Sequence, residues 1–275
     1  MSEIILSGYI SVRTTLEAKS RKISKVVLDR ERYESVIRSG FHAPEKRQYD
    51  ILSKYEVPTE FVSKEEFRTF CDHPSAGGIA ALAGERLYTP LDNILRQKNA
   101  YIVVLDGIED PFNFGFTLRT LYAAGVDGVI LPQRNFFSSD DIVVRSSAGA
   151  SELLKIAVVE DLTDACKKAK ENGFLLISTE RSEKAKDLYR TSVKRPLCLV
   201  FGGEKRGISA GITEISDLVI RLKYPRECHF SLSASSAVSI ISFEIARRIA
   251  RTPDDVRNVS HNNRFGNTKR SGKLT

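Results

Sequence analysis

The sequence lacks any long apolar run. None of its segments approaches the roughly 20 consecutive apolar residues that a membrane-spanning helix requires. Near the start an acidic residue, Glu3, stands where a secretory signal would carry basic ones, and the apolar run beside it is too short. With 41% hydrophobic residues in a chain of 275, there is enough apolar material for a full core. We therefore expect a cytoplasmic protein that has no membrane partner.

Cysteine is also scarce. The four cysteines are widely spaced, at Cys71, Cys166, Cys198 and Cys228, and none forms a CxxC pair. That pattern suggests neither a zinc site nor a disulfide framework, so we expect reduced thiols and no metal. His229 follows Cys228, but no second ligand pair or general base is spaced to build a metal site or an activated nucleophile there.

Positive charge is in surplus, mainly in the tail. The formal net charge is +7, and residues 251–275 carry six basic and two acidic side chains, which is +4 of that total. Such a surplus favours a polyanionic partner through counterion release, and the alternative is a solubilising appendage. Residues 253–275 lack apolar periodicity, so we expect a disordered basic tail. Four more cations are candidate nucleic-acid contacts or, alternatively, an ordinary solvated face: Lys19, Arg21, Lys22 and Lys25.

Short apolar runs alternate with helical stretches over residues 100–252. The predicted strands are 101–105, 128–131, 155–159, 174–178, 197–201 and 218–222. The predicted helices are 116–124, 140–150, 162–172, 208–215 and 233–250. Runs rich in Val, Ile and Leu indicate strands that are buried on both faces. The alternation therefore predicts an α/β domain with a mainly parallel sheet and helices on both faces.

The first 90 residues predict a smaller α/β domain of their own. Its predicted helices are 12–23, 31–39 and 45–55, with one more starting at residue 64, and its predicted strands are 25–28 and 60–62. Residues 91–99 are predicted to be a linker into the larger domain. The expected order is thus a domain at 1–90, a linker, a domain at 100–252 and the tail.

Three candidate ligand residues follow the first apolar strand of the larger domain: Asn113, Gly115 and Arg119. The predicted helix begins close to Asn113, and the free backbone amides at its start form an anion-binding pocket. Arg119 projects near the mouth of that pocket, where its planar fork can hold a phosphate. The alternative is that Asn113 only caps the helix and Arg119 is a solvated surface residue.

A second junction follows another apolar strand. Without side chains, Gly202 and Gly203 let a ligand approach the main chain, and Glu204 stands at the strand's carboxyl edge, where parallel α/β sheets bind ligands. The spacing from Gly202 to Gly207 imitates a phosphate loop, but Ile208 occupies the position of its lysine. A nucleoside triphosphatase is therefore disfavoured, and a simple tight turn is the alternative interpretation.

Serines cluster where the last predicted helix begins, at Ser231, Ser233, Ser235 and Ser236. Serines in such places usually cap the helix and do nothing more. No GxGxxG follows the early strands, so an ordinary dinucleotide-binding fold has little support.

Taken in order, these segments resemble the motifs of the SpoU/TrmH family of knotted RNA methyltransferases, over residues 102–249. The matching residues are Asn113, Gly115 and Arg119, then Gly202, Glu204 and Gly207, then Ser231 and Leu232. Residues 145–150, Arg-Ser-Ser-Ala-Gly-Ala, look like a further family segment. The first 90 residues resemble, less closely, the ribosomal-protein-like RNA-binding domain that often precedes this catalytic domain.

The resemblance implies methyl transfer from S-adenosylmethionine to a ribose 2′-hydroxyl of structured RNA, with ribosomal RNA as the expected substrate. It also implies a homodimer and a carboxyl-terminal trefoil knot. The implied catalytic residues are Arg119, Asn113, Glu204 and Ser231. The implied cofactor-binding residues are Gly202, Leu222 and Leu232. Because a guanidinium is essentially never deprotonated, we expect Arg119 to clamp a phosphate rather than to act as a base.

One departure from the family pattern is Ser233, which stands where the family has asparagine. The site then either uses a slightly different arrangement or has lost activity. Two alternatives therefore stay open. One is an RNA-binding protein of the same fold that is impaired in catalysis, and the other is an enzyme directed at transfer RNA.

Overall fold

The computed structural model describes residues 3–39, 44–133, 140–204 and 206–249. The strands are β1 Ile4–Ser7, β2 Ile23–Asp29, β3 Thr59–Val62, β4 Ile79–Ala83, β5 Tyr101–Asp106, β6 Gly128–Pro132, β7 Ile156–Val159, β8 Leu175–Thr179, β9 Lys186–Asp187, β10 Leu197–Gly202 and β11 Leu218–Arg221. The α-helices are α1 Tyr9–Ala18, α2 Arg30–Arg38, α3 Pro44–Leu52, α4 Lys64–Phe70, α5 Leu91–Leu95, α6 Pro111–Ala123, α7 Asp140–Ser146, α8 Ala150–Leu153, α9 Leu162–Glu171, α10 Ala210–Ile215 and α11 Ala234–Arg248. The predicted tail, 253–275, lies outside the described residues.

Seven strands form the larger sheet, in the order β7-β6-β5-β10-β8-β11-β9, and every pair in it is parallel. Alternate residues of the central strand β5 face opposite cores. Tyr101 and Val103 pack in the core beneath α6 and α11, whereas Ile102 and Val104 pack in the core beneath α5, α9 and α10. The prediction of a mainly parallel sheet that is covered on both faces is confirmed, because a strand buried on both sides must be apolar throughout.

Four strands form the smaller sheet, in the order β1-β4-β2-β3. The β1/β4 and β2/β4 pairs are antiparallel, and the β2/β3 pair is parallel. The sequence interpretation missed β1 and β4, which are short and partly built from alanine and serine. It also misplaced the first helix, predicted at 12–23. The helix ends at Ala18 because Lys19 adopts a left-handed conformation, with φ of 51°.

A buried cluster of charges joins the two sheets, and we call it the charged junction: Arg21, Arg86, Asp140 and Glu152. Arg21 donates from Nε to Glu152 Oε2 at 3.1 Å and from Nη1 to Asp140 Oδ2 at 2.7 Å. Arg86 donates from Nη1 to Glu152 Oε1 at 2.8 Å. The prediction that Arg21 contacts nucleic acid is wrong, because its side chain is only 1% exposed and is held by two carboxylates.

The helix predicted at 140–150 is in fact two helices. Between α7 and α8 the chain turns at Ala148 and Gly149, whose φ angles are 49° and 77°. A side chain at Gly149 would also collide with Thr14 of α1, so this turn fits closely against the smaller sheet's helix. Among the described residues, no helix has the length and apolar content needed to cross a bilayer.

Candidate active site

The central strands β5 and β10 lie side by side and end at the same edge of the larger sheet, with Asp106 opposite Gly202. The chain leaves β5 towards β6 on one side, and it leaves β10 towards β11 on the other. Such a divergence opens a crevice at the carboxyl ends of parallel strands. All three sequence motifs surround this crevice, which we call the motif edge.

Helix α6 is capped by Asp110, not by Asn113 as the sequence suggested. Asp110 Oδ1 accepts a hydrogen bond from the backbone N–H of Asn113 at 2.7 Å, and Pro111 occupies the first helical position, where its missing N–H has no cost. Asn113 therefore lies in the first turn, and its side chain is free to point at the crevice. Its Oδ1 accepts from Ser235 Oγ at 3.3 Å, which connects the first motif to the third.

Two groups cap α11, and one of them comes from another motif. Glu204 Oε1 accepts from the backbone N–H of Ala234 at 2.9 Å, which connects the second motif to the third. Ser233 Oγ accepts from the backbone N–H of Ser236 at 3.2 Å. A carboxylate at a helix start is favoured by the helix dipole as well as by the hydrogen bond. The hydroxyl that replaces the family's asparagine thus performs the capping role.

The glycines of the second motif allow the backbone of neighbouring loops to pack closely against them. A Cβ on Gly202 would come within 2.2 Å of the Gly207 carbonyl carbon, and one on Gly203 within 2.1 Å of the Gly107 carbonyl oxygen. Both positions therefore require glycine for this packing, and the expectation that Gly202 contacts the cofactor stays a prediction. The backbone of neighbouring loops occupies that space. Gly115 is similar, since its Cβ would meet Ser146 Oγ at 1.9 Å.

A cavity of about 550 Å³ opens at the motif edge, between the loops after β5 and β10. Asn113 and Glu204 both line it, together with Asp106, Glu109 and Arg206. Asp106 Oδ2 accepts from the backbone N–H and the Oγ of Ser209, at 2.9 and 2.7 Å, and so fixes the start of α10. Within the described ranges, no three metal-ligating side chains are grouped to hold an ion.

A smaller cavity, of about 140 Å³, lies next to it beyond the ends of β8 and β11. Two of the implied cofactor residues, Leu222 and Leu232, line this cavity together with the implied catalytic residue Ser231. Thr179 and Arg181 also line it, and neither was singled out in the sequence. Gly202 lines neither of the two cavities.

Arg119 stands apart from both cavities. It is exposed on α6, and it makes no hydrogen bond or ion pair with the described part of the chain. Ser231, by contrast, is engaged, because its Oγ accepts from Arg181 Nη1 at 3.1 Å. An exposed, unpaired guanidinium keeps all its donors available for an external anion.

Comparison with known proteins agrees with this arrangement of the three motifs. Residues 100–243 match the model of the SpoU rRNA methylase family, and this segment is more than half of the chain and contains all three motifs. The chain belongs to the SpoU rRNA methylase family. A Staphylococcus saprophyticus relative assigned to the TrmH family of tRNA/rRNA methyltransferases is 29% identical over 254 residues, covering 90% of this chain and 97% of the relative. A Staphylococcus aureus relative assigned likewise is 34% identical over 201 residues, covering 71% of this chain and 79% of the relative.

Solved structures share the SpoU fold with this chain. The SpoU methyltransferase AviRb of Streptomyces viridochromogenes, in complex with AdoMet, has a TM-score of 0.72 at 18% identity, over 90% of each chain. An AdoMet-bound rRNA methyltransferase of Sinorhizobium meliloti has a TM-score of 0.71 at 22% identity, over 91% of this chain and 88% of its own. Both alignments extend across the smaller sheet as well as the larger one. Membership of the SpoU family makes this chain an RNA methyltransferase by family. The trefoil knot stays a prediction.

Proposed function

We propose that this SpoU-family protein transfers a methyl group from S-adenosylmethionine to a ribose 2′-hydroxyl of ribosomal RNA. One observation carries the proposal. The three motifs are tied to each other at one edge of the sheet by the Asn113–Ser235 and Glu204–Ala234 hydrogen bonds. Such ties hold reactive groups in a fixed relation, which is how an enzyme lowers the entropic part of a displacement barrier.

The smaller cavity suits the methyl donor. Leu222, Leu232 and Ile241 give it an apolar lining for an adenine ring, and Thr179 and Ser231 add hydroxyls beside them. Its volume of about 140 Å³ would hold the adenine portion of the cofactor. The bound cofactor supplies an electrophilic methyl group on a sulfonium. The protein's own residues supply orientation and the exclusion of water.

Arg119 is proposed to hold the phosphate beside the reacting ribose. Its planar fork grips a phosphodiester bidentately and so aligns the 2′-oxygen for in-line attack. Since the guanidinium stays protonated, the hydroxyl proton leaves to another group or to water. Asn113 and Glu204 keep the loops around that position in place.

A homodimer is proposed on the surface that α6 and α11 share. Four large apolar side chains on these helices are 38–51% exposed: Phe112, Phe116, Ile240 and Phe243. Exposed apolar side chains grouped on adjacent helices are typical of protein–protein interfaces. Because Arg119 also lies on α6 and lines neither cavity, pairing through this surface is a route for one protomer's Arg119 to reach its partner's cofactor.

The smaller sheet and its helices, within residues 1–90, are proposed to bind the RNA substrate. Lys19 and Lys22 are exposed there and remain candidate phosphate contacts. Lys25 is a weaker candidate, because its Nζ is paired with Glu60 Oε2 at 2.5 Å. Contacts of this kind weaken with salt, with a log–log slope of about −0.7 for each single-stranded phosphate that is neutralised.

The test incubates the protein with methyl-labelled S-adenosylmethionine and, in separate arms, ribosomal RNA and transfer RNA from cells that lack the gene. Digestion to nucleosides should place the label on 2′-O-methylribose in the ribosomal arm. Label on a base would overturn the proposed reaction, and label confined to transfer RNA would overturn the proposed substrate. Binding of cofactor and RNA without any transfer would favour the catalytically impaired alternative that Ser233 raised.

A further inference from the structure

The segment that carries Ser231 and Leu232 has little structure of its own. Residues 222–233 connect β11 to α11 without any helix or strand. Among the described residues, no backbone-to-backbone hydrogen bond involves 222–232. The caps contributed by Glu204 and Ser233 bind backbone amides of α11, so they fix only the end of this segment. Something else must therefore set where the segment lies.

One side chain, Arg181, makes most of the contacts that hold the segment. It follows β8 by two residues and lines the smaller cavity. Its Nη1 donates to Phe230 O at 2.8 Å and to Ser231 Oγ at 3.1 Å, and its Nη2 donates to Cys228 O at 2.8 Å. Its guanidinium carbon lies 5.2 Å from the centroid of the Tyr224 ring, within cation–π range.

Tyr224 continues the same chain of contacts into the cavity wall. Its phenolic oxygen accepts from the backbone N–H of Leu232 at 3.1 Å. Arg181 and Tyr224 therefore hold the two residues on which the proposed cofactor contact depends, Ser231 and Leu232. A planar fork with several donors can serve two carbonyls and a hydroxyl at once, whereas an ammonium group cannot match that geometry.

We propose that Arg181 is a positioning residue for methyl transfer, which holds the Ser231–Leu232 wall of the cofactor cavity in its binding conformation. This inference rests on the proposed function of that cavity. It predicts that the segment is set in place before the cofactor arrives, so that binding does not have to order it. Lost preorganisation of this kind weakens affinity without removing any direct contact.

The experiment compares Arg181→Ala, Arg181→Lys and Tyr224→Phe with a matched control, Lys184→Ala, which removes an exposed positive charge from the same loop. Titration calorimetry with S-adenosylmethionine should show about 10- to 100-fold weaker binding for Arg181→Ala, since several charge-assisted hydrogen bonds are lost. Arg181→Lys should recover part of that loss. Tyr224→Phe should weaken binding by less than Arg181→Ala does, and Lys184→Ala should bind like the parent.

A second readout needs no cofactor. Trypsin should cut after Lys223 and Arg226 faster in Arg181→Ala than in the parent protein, because the segment around them is released. In turnover assays the KM for cofactor should rise while kcat at saturating cofactor stays within about threefold of the parent value. Unchanged affinity and unchanged trypsin cleavage in Arg181→Ala would overturn this inference. A parent protein that binds no S-adenosylmethionine at all would instead overturn the proposed function.

Discussion

The charged junction and the motif edge both use arginine and glutamate, but in opposite environments. At the junction the side chains of Arg21, Arg86 and Glu152 are 1%, 3% and 0% exposed, and each is ion-paired. At the motif edge Glu204 is exposed, and so is Arg119, farther along α6. The junction's charges are ion-paired with each other, so they hold the two sheets together. Those at the motif edge face outward, where a ligand can reach them.

Burial at the charged junction shifts the pKa values of its side chains. Burial lowers the pKa of Arg86 and raises the pKa of Asp140, whose Oδ1 has no hydrogen-bond partner in the described structure. It also raises the pKa of the neighbouring Tyr88 phenol to about 12. A buried ion pair stabilises the folded state little more than apolar side chains of similar volume would. Removing one partner, however, leaves an uncompensated buried charge, which is strongly destabilising. A substitution at the junction should therefore affect folding, and one at the motif edge should affect chemistry.

The largest expected effect is that of Glu152→Gln. It leaves Arg86 without its carboxylate and Arg21 with Asp140 alone, so the free energy of unfolding should fall by about 3–5 kcal/mol. Urea denaturation followed by circular dichroism measures this. Glu160→Gln, at an exposed position, is the matched control and should stay within about 0.5 kcal/mol of the parent. Equal losses in the two variants would remove the distinction between the junction and the surface.

Arg119→Ala should affect catalysis and not stability. Because Arg119 has no partner in the described part of the chain, the free energy of unfolding of this variant should stay within about 0.5 kcal/mol of the parent. Methyl transfer should fall by about 100-fold or more, because the acceptor is no longer aligned. Arg119→Lys keeps the charge but not the fork, so transfer should remain low if bidentate grip is what matters. Full activity in Arg119→Ala, measured with labelled cofactor, would show that the assigned role is wrong.

The difference between these regions also explains what the sequence could reveal. Strands β5 and β10 were predicted to within a residue, because burial on both faces imposes an unbroken apolar run. The motif residues were found from their order along the chain. Arg21 was misassigned because nothing local distinguishes a buried arginine from a solvated one. Its partner Glu152 is 131 positions away, so only the fold reveals the pair.

Other errors arose from backbone geometry and from contacts between loops. The end of α1 depends on Lys19 adopting a conformation that a lysine rarely takes. Capping of α6 by Asn113 was the alternative interpretation, although Asp110 before a proline is an equally good capping signal that could have been recognised. Arg181 had no signal, since the three groups it contacts are carbonyls and a hydroxyl about 50 residues further along the chain.

Glycine substitutions sharpen the comparison within the motif edge. Gly203→Ala forces a Cβ into the backbone of Gly107, and the unfolding free energy should fall by about 1–3 kcal/mol as the loops separate. Gly211→Ala is the matched control, because a Cβ there meets Thr163 at an ordinary 3.4 Å and the position is helical. It should be neutral or stabilising by up to about 1 kcal/mol. Thermal denaturation of both variants checks the prediction, and a neutral Gly203→Ala would contradict the account of that loop.

The smallest effect is expected at Ser233, where this chain departs from its family. Ser233→Ala removes one of the two caps of α11 and should lower the unfolding free energy by about 1 kcal/mol. Ser233→Asn restores the family's residue and should leave stability within about 0.5 kcal/mol, because asparagine and serine cap equally well. If the hydroxyl has no further role, Ser233→Asn will also transfer methyl groups at the parent rate. A large gain in rate would instead mean that the natural serine lowers catalysis, although the cap is intact and Glu204 still holds the neighbouring amide.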